Sequence, residues 1–186
     1  MNLPPPILVV GASFAEPGSP FVAELDRQLG AVGAGVRGAS LDRWLTATLA
    51  RSDLRGRTVV VLELGGNGVA GTAVIEAADA ALKARGALPF WVMPPRWPSG
   101  TRVEAARSQA ARNLDAARVD VLRAGWAPVR ADLAPDEVHL TPVGYRAFAR
   151  AVVPTLTGIG GEGYWTALAT LAVVLVLAFT FGGLAA

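Results

Sequence analysis

Apolar residues are distributed along this chain in two rhythms. Short continuous runs of aliphatic and β-branched residues alternate with longer stretches in which apolar side chains return every third or fourth position. Ile7-Leu8-Val9-Val10 is the first run, stopped by Gly11-Ala12-Ser13. Thr58-Val59-Val60-Val61-Leu62-Glu63-Leu64 is the clearest, ended by Gly65-Gly66-Asn67-Gly68. Phe90-Trp91-Val92-Met93 follows, cut by Pro94-Pro95, and a last short strand is expected at Pro128-Val129-Arg130. Between these runs the spacing predicts helices over 21–29, 41–50, 72–85 and 145–156, and a longer one from Thr101 to Arg123. Phe21, Leu25 and Leu29 share one face of the first; Phe148 and Val152 point inward from the last. Ser40 is placed to cap the second helix, and Thr101 and Glu104 have the spacing of a capping box.

Strands that alternate with helices, each closed by glycine or proline, imply an α/β domain with a mostly parallel sheet. Ligands of such sheets gather at the carboxyl ends of the strands. Ser13, Gly38, Asn67 and the loop Asp136-Glu137-Val138-His139 all fall at that edge, so residues far apart in sequence are expected in one crevice.

The end of the chain has a different pattern. From Tyr164 to Ala186 no side chain is charged, and a helix of that length reaches roughly 34 Å, enough to cross a bilayer core. Tyr164 and Trp165 stand where an interfacial anchor is expected. The expected organisation is a soluble domain over 1–157, a glycine-rich linker over 158–163 and a transmembrane helix over 164–186. No basic region precedes the first apolar run, which is too short for a signal-peptide core. With Arg146 and Arg150 ahead of the span, the domain is expected on the cytoplasmic side.

Composition narrows the chemistry. The chain has 186 residues, 52% of them hydrophobic, and a formal net charge of +2. Arg102, Arg107, Arg112, Arg118 and Arg123 recur every five or six residues, which scatters them around a helix and reads as a solvated surface, not a nucleic-acid footprint. Gly33-Ala34-Gly35-Val36-Arg37-Gly38 fits GxGxxG, but a dinucleotide site needs a strand immediately before its glycines, and here a helix and a Gly/Ala-rich connection come first. Cysteine is absent and His139 is the single histidine. Any imidazole base at neutral pH is therefore His139, and Asp136 lies close enough in sequence to orient it.

Acyl transfer by a serine needs a base, a carboxylate that orients the base, and donors for the oxyanion. Ser13 follows the first strand; Gly38 can offer a backbone N–H and Asn67 side-chain donors. Taken singly, Ser13 reads more readily as a helix cap and Asn67 as a turn residue. Together, Gly11-Ala12-Ser13, Gly38, Gly65-Gly66-Asn67 and Asp136-Glu137-Val138-His139 resemble, in order and spacing, the four blocks of the SGNH (GDSL-type) hydrolases over residues 7–156. Ala12 stands where that family usually has an aspartate, and Gly68 where its third block ends in a second acid. The resemblance implies a flavodoxin-like three-layer α/β/α fold and ester hydrolysis without a metal or other cofactor. It implies Ser13 as nucleophile, His139 as base, Asp136 as its orienter, and Ser13 N–H, Gly38 N–H and Asn67 as oxyanion donors. The expected substrate is an ester-bearing small molecule, a lipid or an acetylated glycan. Trp44, Trp91, Trp97 and Trp126 are candidates either to wall an acyl site or to fill the core. The competing expectation is a catalytically weak or inactive scaffold of the same fold, docked by its tail among membrane-protein partners in a cellular or virion membrane.

Overall fold

The computed structural model describes residues 7–159. Within them, β1 (Leu8–Gly11), β2 (Val32–Gly33), β3 (Thr58–Leu62), β4 (Leu88–Val92) and β5 (Val121–Leu122) form one sheet in the order β2-β1-β3-β4-β5, and every pair is parallel. The helices are α1 (Pro20–Leu29), α2 (Leu41–Leu49), α3 (Thr72–Ala84), α4 (Glu104–Ala116) and α5 (Pro142–Ile159).

Topology sets the layers. The chain steps from β1 outward to β2, then crosses back to β3 and continues in the same direction to β4 and β5. Right-handed crossovers put α1 on one face and α2, α3 and α4 on the other. Alternate strand residues divide accordingly. Leu8, Val10, Val59, Val61 and Trp91 pack in one cluster with Trp44 of α2, Ile75 and Leu82 of α3, and Leu114 of α4. Val9 and Val60, on the opposite face, are just as inaccessible. On α1, Phe21 meets Phe148 of α5 at 5.3 Å between ring centroids, and Glu24 accepts from Arg150 Nε of α5 at 2.9 Å. Burial on both faces is why these strands read as unbroken apolar runs.

Two sequence expectations fail at the far edge of the sheet. The helix expected to reach Arg123 ends at Ala116, and Val121–Leu122 is the fifth strand. Trp91 N–H donates to Asp120 O at 2.8 Å and Met93 N–H to Leu122 O at 2.9 Å, so the open edge of β4 takes up this segment. Its β-branched Val119 and Val121 suit that role better than a helix. The strand expected at 128–130 does not form; Arg130–Asp132 is a 3-10 turn, and Val129 is exposed.

Capping also differs. Ser40 occupies the N-cap of α2, but its side chain makes no cap hydrogen bond. Thr101 and Glu104 form no capping box: Glu104 opens α4 and accepts from Gly100 N–H at 2.7 Å, while Thr101 Oγ1 donates to Pro98 O. A cap the sequence reading passed over is Ser19, which accepts from Val22 N–H ahead of Pro20 and so fixes the start of α1.

The chain divides into two compact units, Met1–Val153 and Pro154–Ala186, and the whole sheet belongs to the first. In the second, Thr157 Oγ1 donates to Pro154 O at 3.2 Å. The linker expected over 158–163 is helical at Gly158 and Ile159, where the i→i−4 pattern of α5 persists. Its remainder and the expected membrane span over 164–186 lie outside the described residues. Among the described residues, no helix is long and apolar enough to cross a membrane.

Candidate active site

Strand order 2-1-3-4-5 reverses direction between β1 and β3, and this switch point opens a crevice at their carboxyl ends. Here it is a cleft of about 580 Å³ lined by Ser13, Gly38, Asn67 and His139 among others.

Ser13 begins a 3-10 turn (Ser13–Ala15) directly after β1. That turn is held against the chain beyond β2. Gly35 N–H donates to Ala15 O at 2.8 Å and Val36 N–H to Gly11 O at 3.0 Å. A Cβ on Gly35 would stand 2.4 Å from Ala12 O and from Ala15 C, so only glycine lets the two segments approach this closely. The GxGxxG segment is thus a seat for the Ser13 turn. Ser19 adds a second tie, donating from Oγ to Phe14 O at 2.7 Å.

The imidazole arrives from the opposite end of the sequence. His139 Nε2 lies 3.0 Å from Ser13 Oγ, across 126 positions. His139 Nδ1 lies 2.7 Å from Asp136 Oδ2. Asp136 Oδ1 accepts from Val138 N–H at 3.0 Å and His139 N–H at 2.9 Å, so a local turn fixes the carboxylate before it meets the ring. An acceptor-only carboxylate beside Nδ1 assigns the proton to Nδ1 and leaves the Nε2 lone pair facing the serine. The imidazole hydrogen bond, aided by the two backbone N–H groups, holds the Asp136 carboxyl at about 2, down from 3.8. Glu137, at the centre of this turn, is the one non-glycine among the described residues with positive φ, at 56°. Such a backbone needs outside support, and Trp97 Nε1 supplies it by donating to Glu137 O at 3.0 Å.

Gly38 has φ 64° and Asn67 is exposed at the rim; both line the cleft with Ser13. The Asn67 loop leans on α4, where a Cβ on Gly65 would meet Ala106 O and Ala110 Cβ at 2.9 Å. Glu63, just upstream, accepts from Trp44 Nε1 at 2.9 Å. Burial raises its carboxyl, and the Trp44 and Gly65 N–H groups partly offset that. At the mouth, Glu16 and Arg37 form an ion pair at 2.9 Å that lowers the Glu16 carboxyl.

One further expectation needs correction, and one left open between two alternatives is decided. Arg107 is no solvated arginine: it is 2% exposed and lines the cleft. Its signal was available in sequence, because Val103, Arg107, Ala110 and Leu114 share one helical stripe whose other members are apolar. The tryptophans belong to the frame. None of the four lines the cleft. Trp44 and Trp91 fill the core with their indole N–H groups bonded to Glu63 and Asp79, and Trp126 stacks on Phe148 at 5.4 Å. Among the described residues, no cluster of His, Asp and Glu could hold a metal ion.

The fold is shared with solved structures, lipolytic proteins among them. A member of the lipolytic protein G-D-S-L family from Veillonella parvula has a TM-score of 0.59 and 18% identity, over 82% of this chain and 98% of its own. TesA gives 0.58 and 25%, over 83% and 99%. A GDSL-like lipase from Bacteroides thetaiotaomicron gives 0.50 and 12%, over 81% and 86%. No family model matches the chain, and no curated protein matches it in sequence.

Proposed function

We propose that this chain is a serine ester hydrolase with Ser13 as nucleophile, His139 as base and Asp136 as the carboxylate that orients it. The observation that carries the reading is the relay of two hydrogen bonds, Ser13 Oγ to His139 Nε2 at 3.0 Å and His139 Nδ1 to Asp136 Oδ2 at 2.7 Å, opening into the cleft that Gly38 and Asn67 line. The fold shared with G-D-S-L lipolytic proteins supports it.

In this mechanism Ser13 Oγ attacks the ester carbonyl carbon as its proton passes to His139 Nε2. Negative charge forms on the carbonyl oxygen, met by the N–H groups of Ser13 and Gly38 and the Asn67 side chain. Collapse breaks the bond to the alkoxy oxygen, which leaves as the alcohol with the proton from His139. Water, deprotonated by His139, then cleaves the acyl-serine to a carboxylic acid and free Ser13. Asp136 stays ionised throughout, in keeping with a carboxyl held at about 2. Substrates in this reading are small esters, lipid-derived or from acetylated glycans. The uncharged sequence Tyr164–Ala186 favours a membrane surface as the place of work.

Ser13→Ala tests the proposal. It should remove hydrolysis of a short-chain p-nitrophenyl ester and labelling by a fluorophosphonate, with the unfolding midpoint unchanged. Turnover equal to the parent's sinks the triad.

A further inference from the structure

Arg107 presents an energetic problem. A buried cation is expensive unless it is paired, and burial does push this guanidinium down, to about 10. Yet among the described residues it forms no ion pair, and its Nε has no hydrogen-bond partner. Its two arms are engaged instead. Nη1 donates to Leu64 O at 3.1 Å and Nη2 to Val138 O at 2.8 Å. The guanidinium lies over the Trp97 ring at 4.0 Å and near the Phe14 ring at 5.3 Å.

The two carbonyls identify its role. Leu64 immediately precedes Gly65-Gly66-Asn67, and Val138 immediately precedes His139. One planar cation on α4 therefore ties the strand end that carries the oxyanion donor to the turn that carries the base. We infer that Arg107 is a positioning residue for the serine hydrolase centre, its guanidinium fork fixing the separation of the Asn67 and His139 loops. The inference rests on the hydrolase reading for its kinetic consequence, though not for the tie itself. The Trp97 indole N–H beside the cation also donates to the Glu137 carbonyl, so one packed unit holds two successive carbonyls of the Asp136–His139 turn. Lysine keeps the charge but offers a single nitrogen on a flexible stem, which cannot span two carbonyls in fixed geometry. Arg107→Lys thus separates a tie from a mere positive charge.

Three readouts on the full chain decide the matter. In the parent, the Arg107 Nη hydrogens should give resolved, slowly exchanging NMR signals, because both arms are bonded; averaged signals overturn the inference without any variant. In Arg107→Lys, kcat on the p-nitrophenyl ester should fall about 100-fold, as expected when reacting groups are misplaced by about 1 Å, while KM stays within about twofold. The same variant should shift the imidazole 15N signals, which His139 alone contributes, from the Nδ1–H tautomer toward the average of the two. Parental kcat in the lysine variant, or an unmoved imidazole spectrum, overturns the inference. If the parent hydrolyses no ester while the Nη and imidazole signals behave as stated, the hydrolase reading fails and the tie stands.

Discussion

At the scale of single residues the site is a chain of orientations. Asp136 is fixed by two N–H groups of its own turn before it touches His139, so the imidazole inherits its direction from local backbone. Asp136→Asn should therefore leave the fold intact but place an amide donor against Nδ1, favouring the wrong tautomer. We expect kcat to fall by about 10²- to 10⁴-fold with KM little changed, measured on the same ester. The carboxylate also bears on stability. Its folded value, about 2, lies below the ordinary 3.8, so the folded state binds fewer protons through that interval. Its contribution is complete above 3.8 and is lost as pH falls through about 2. Because half of its surface faces water, that contribution is small.

Packing at the scale of elements turns a weak motif into a structural part. Gly33-Ala34-Gly35 looked like a nucleotide fingerprint lacking its strand; in the fold, Val32–Gly33 is itself the edge strand β2, and Gly35 is where the Ser13 turn comes to rest. Gly35 has no positive φ, so alanine there meets no backbone penalty, only the 2.4 Å approach to Ala12 O and Ala15 C. Gly35→Ala should destabilise by about 1–3 kcal/mol, as overpacking does, read from the urea midpoint. It should also reduce turnover in the molecules that remain folded, since the atoms displaced belong to the turn that carries Ser13, the proposed nucleophile. Normal stability with normal turnover contradicts that account. The helices themselves follow from apolar spacing, and four of the five begin and end within a few residues of expectation. The exception, α4, was overextended because nothing local marks where β4 will need a partner.

Across the whole molecule, polar ties join elements far apart in sequence, and Glu24 carries one of them. It is buried on α1 and accepts from Arg27 and Gln28 of its own helix and from Arg150 of α5. The arginine hydrogen bonds hold its carboxyl at about 2, against an ordinary 4.5. A depressed carboxyl stabilises the fold fully above 4.5, and that stabilisation is lost as pH falls through about 2. The melting temperature of the parent should therefore decline across that window. Glu24→Gln, which cannot titrate, should start lower at neutral pH and decline less. Parallel curves for the two proteins contradict the role given to this tie.

How much could be read in the chain follows from the range of each interaction. Apolar period and Gly/Pro punctuation set β1, β3, β4 and most helices, because they act within a few residues. The Asp136–His139 pairing was legible for the same reason: its hydrogen bonds close within a single turn. The meeting of Ser13 with His139 across 126 positions could be expected only through strand order and resemblance, and the described geometry brings the two together. The two carbonyls that Arg107 meets, the fifth strand at Val121–Leu122 and the withdrawal of the tryptophans from the cleft followed from the assembled sheet alone. Each depends on which carbonyl, open edge or indole partner a distant segment presents, and no local pattern carries that information. The Asp136–His139 turn was written locally; its link to the Asn67 loop, through a cation on α4, was set by packing.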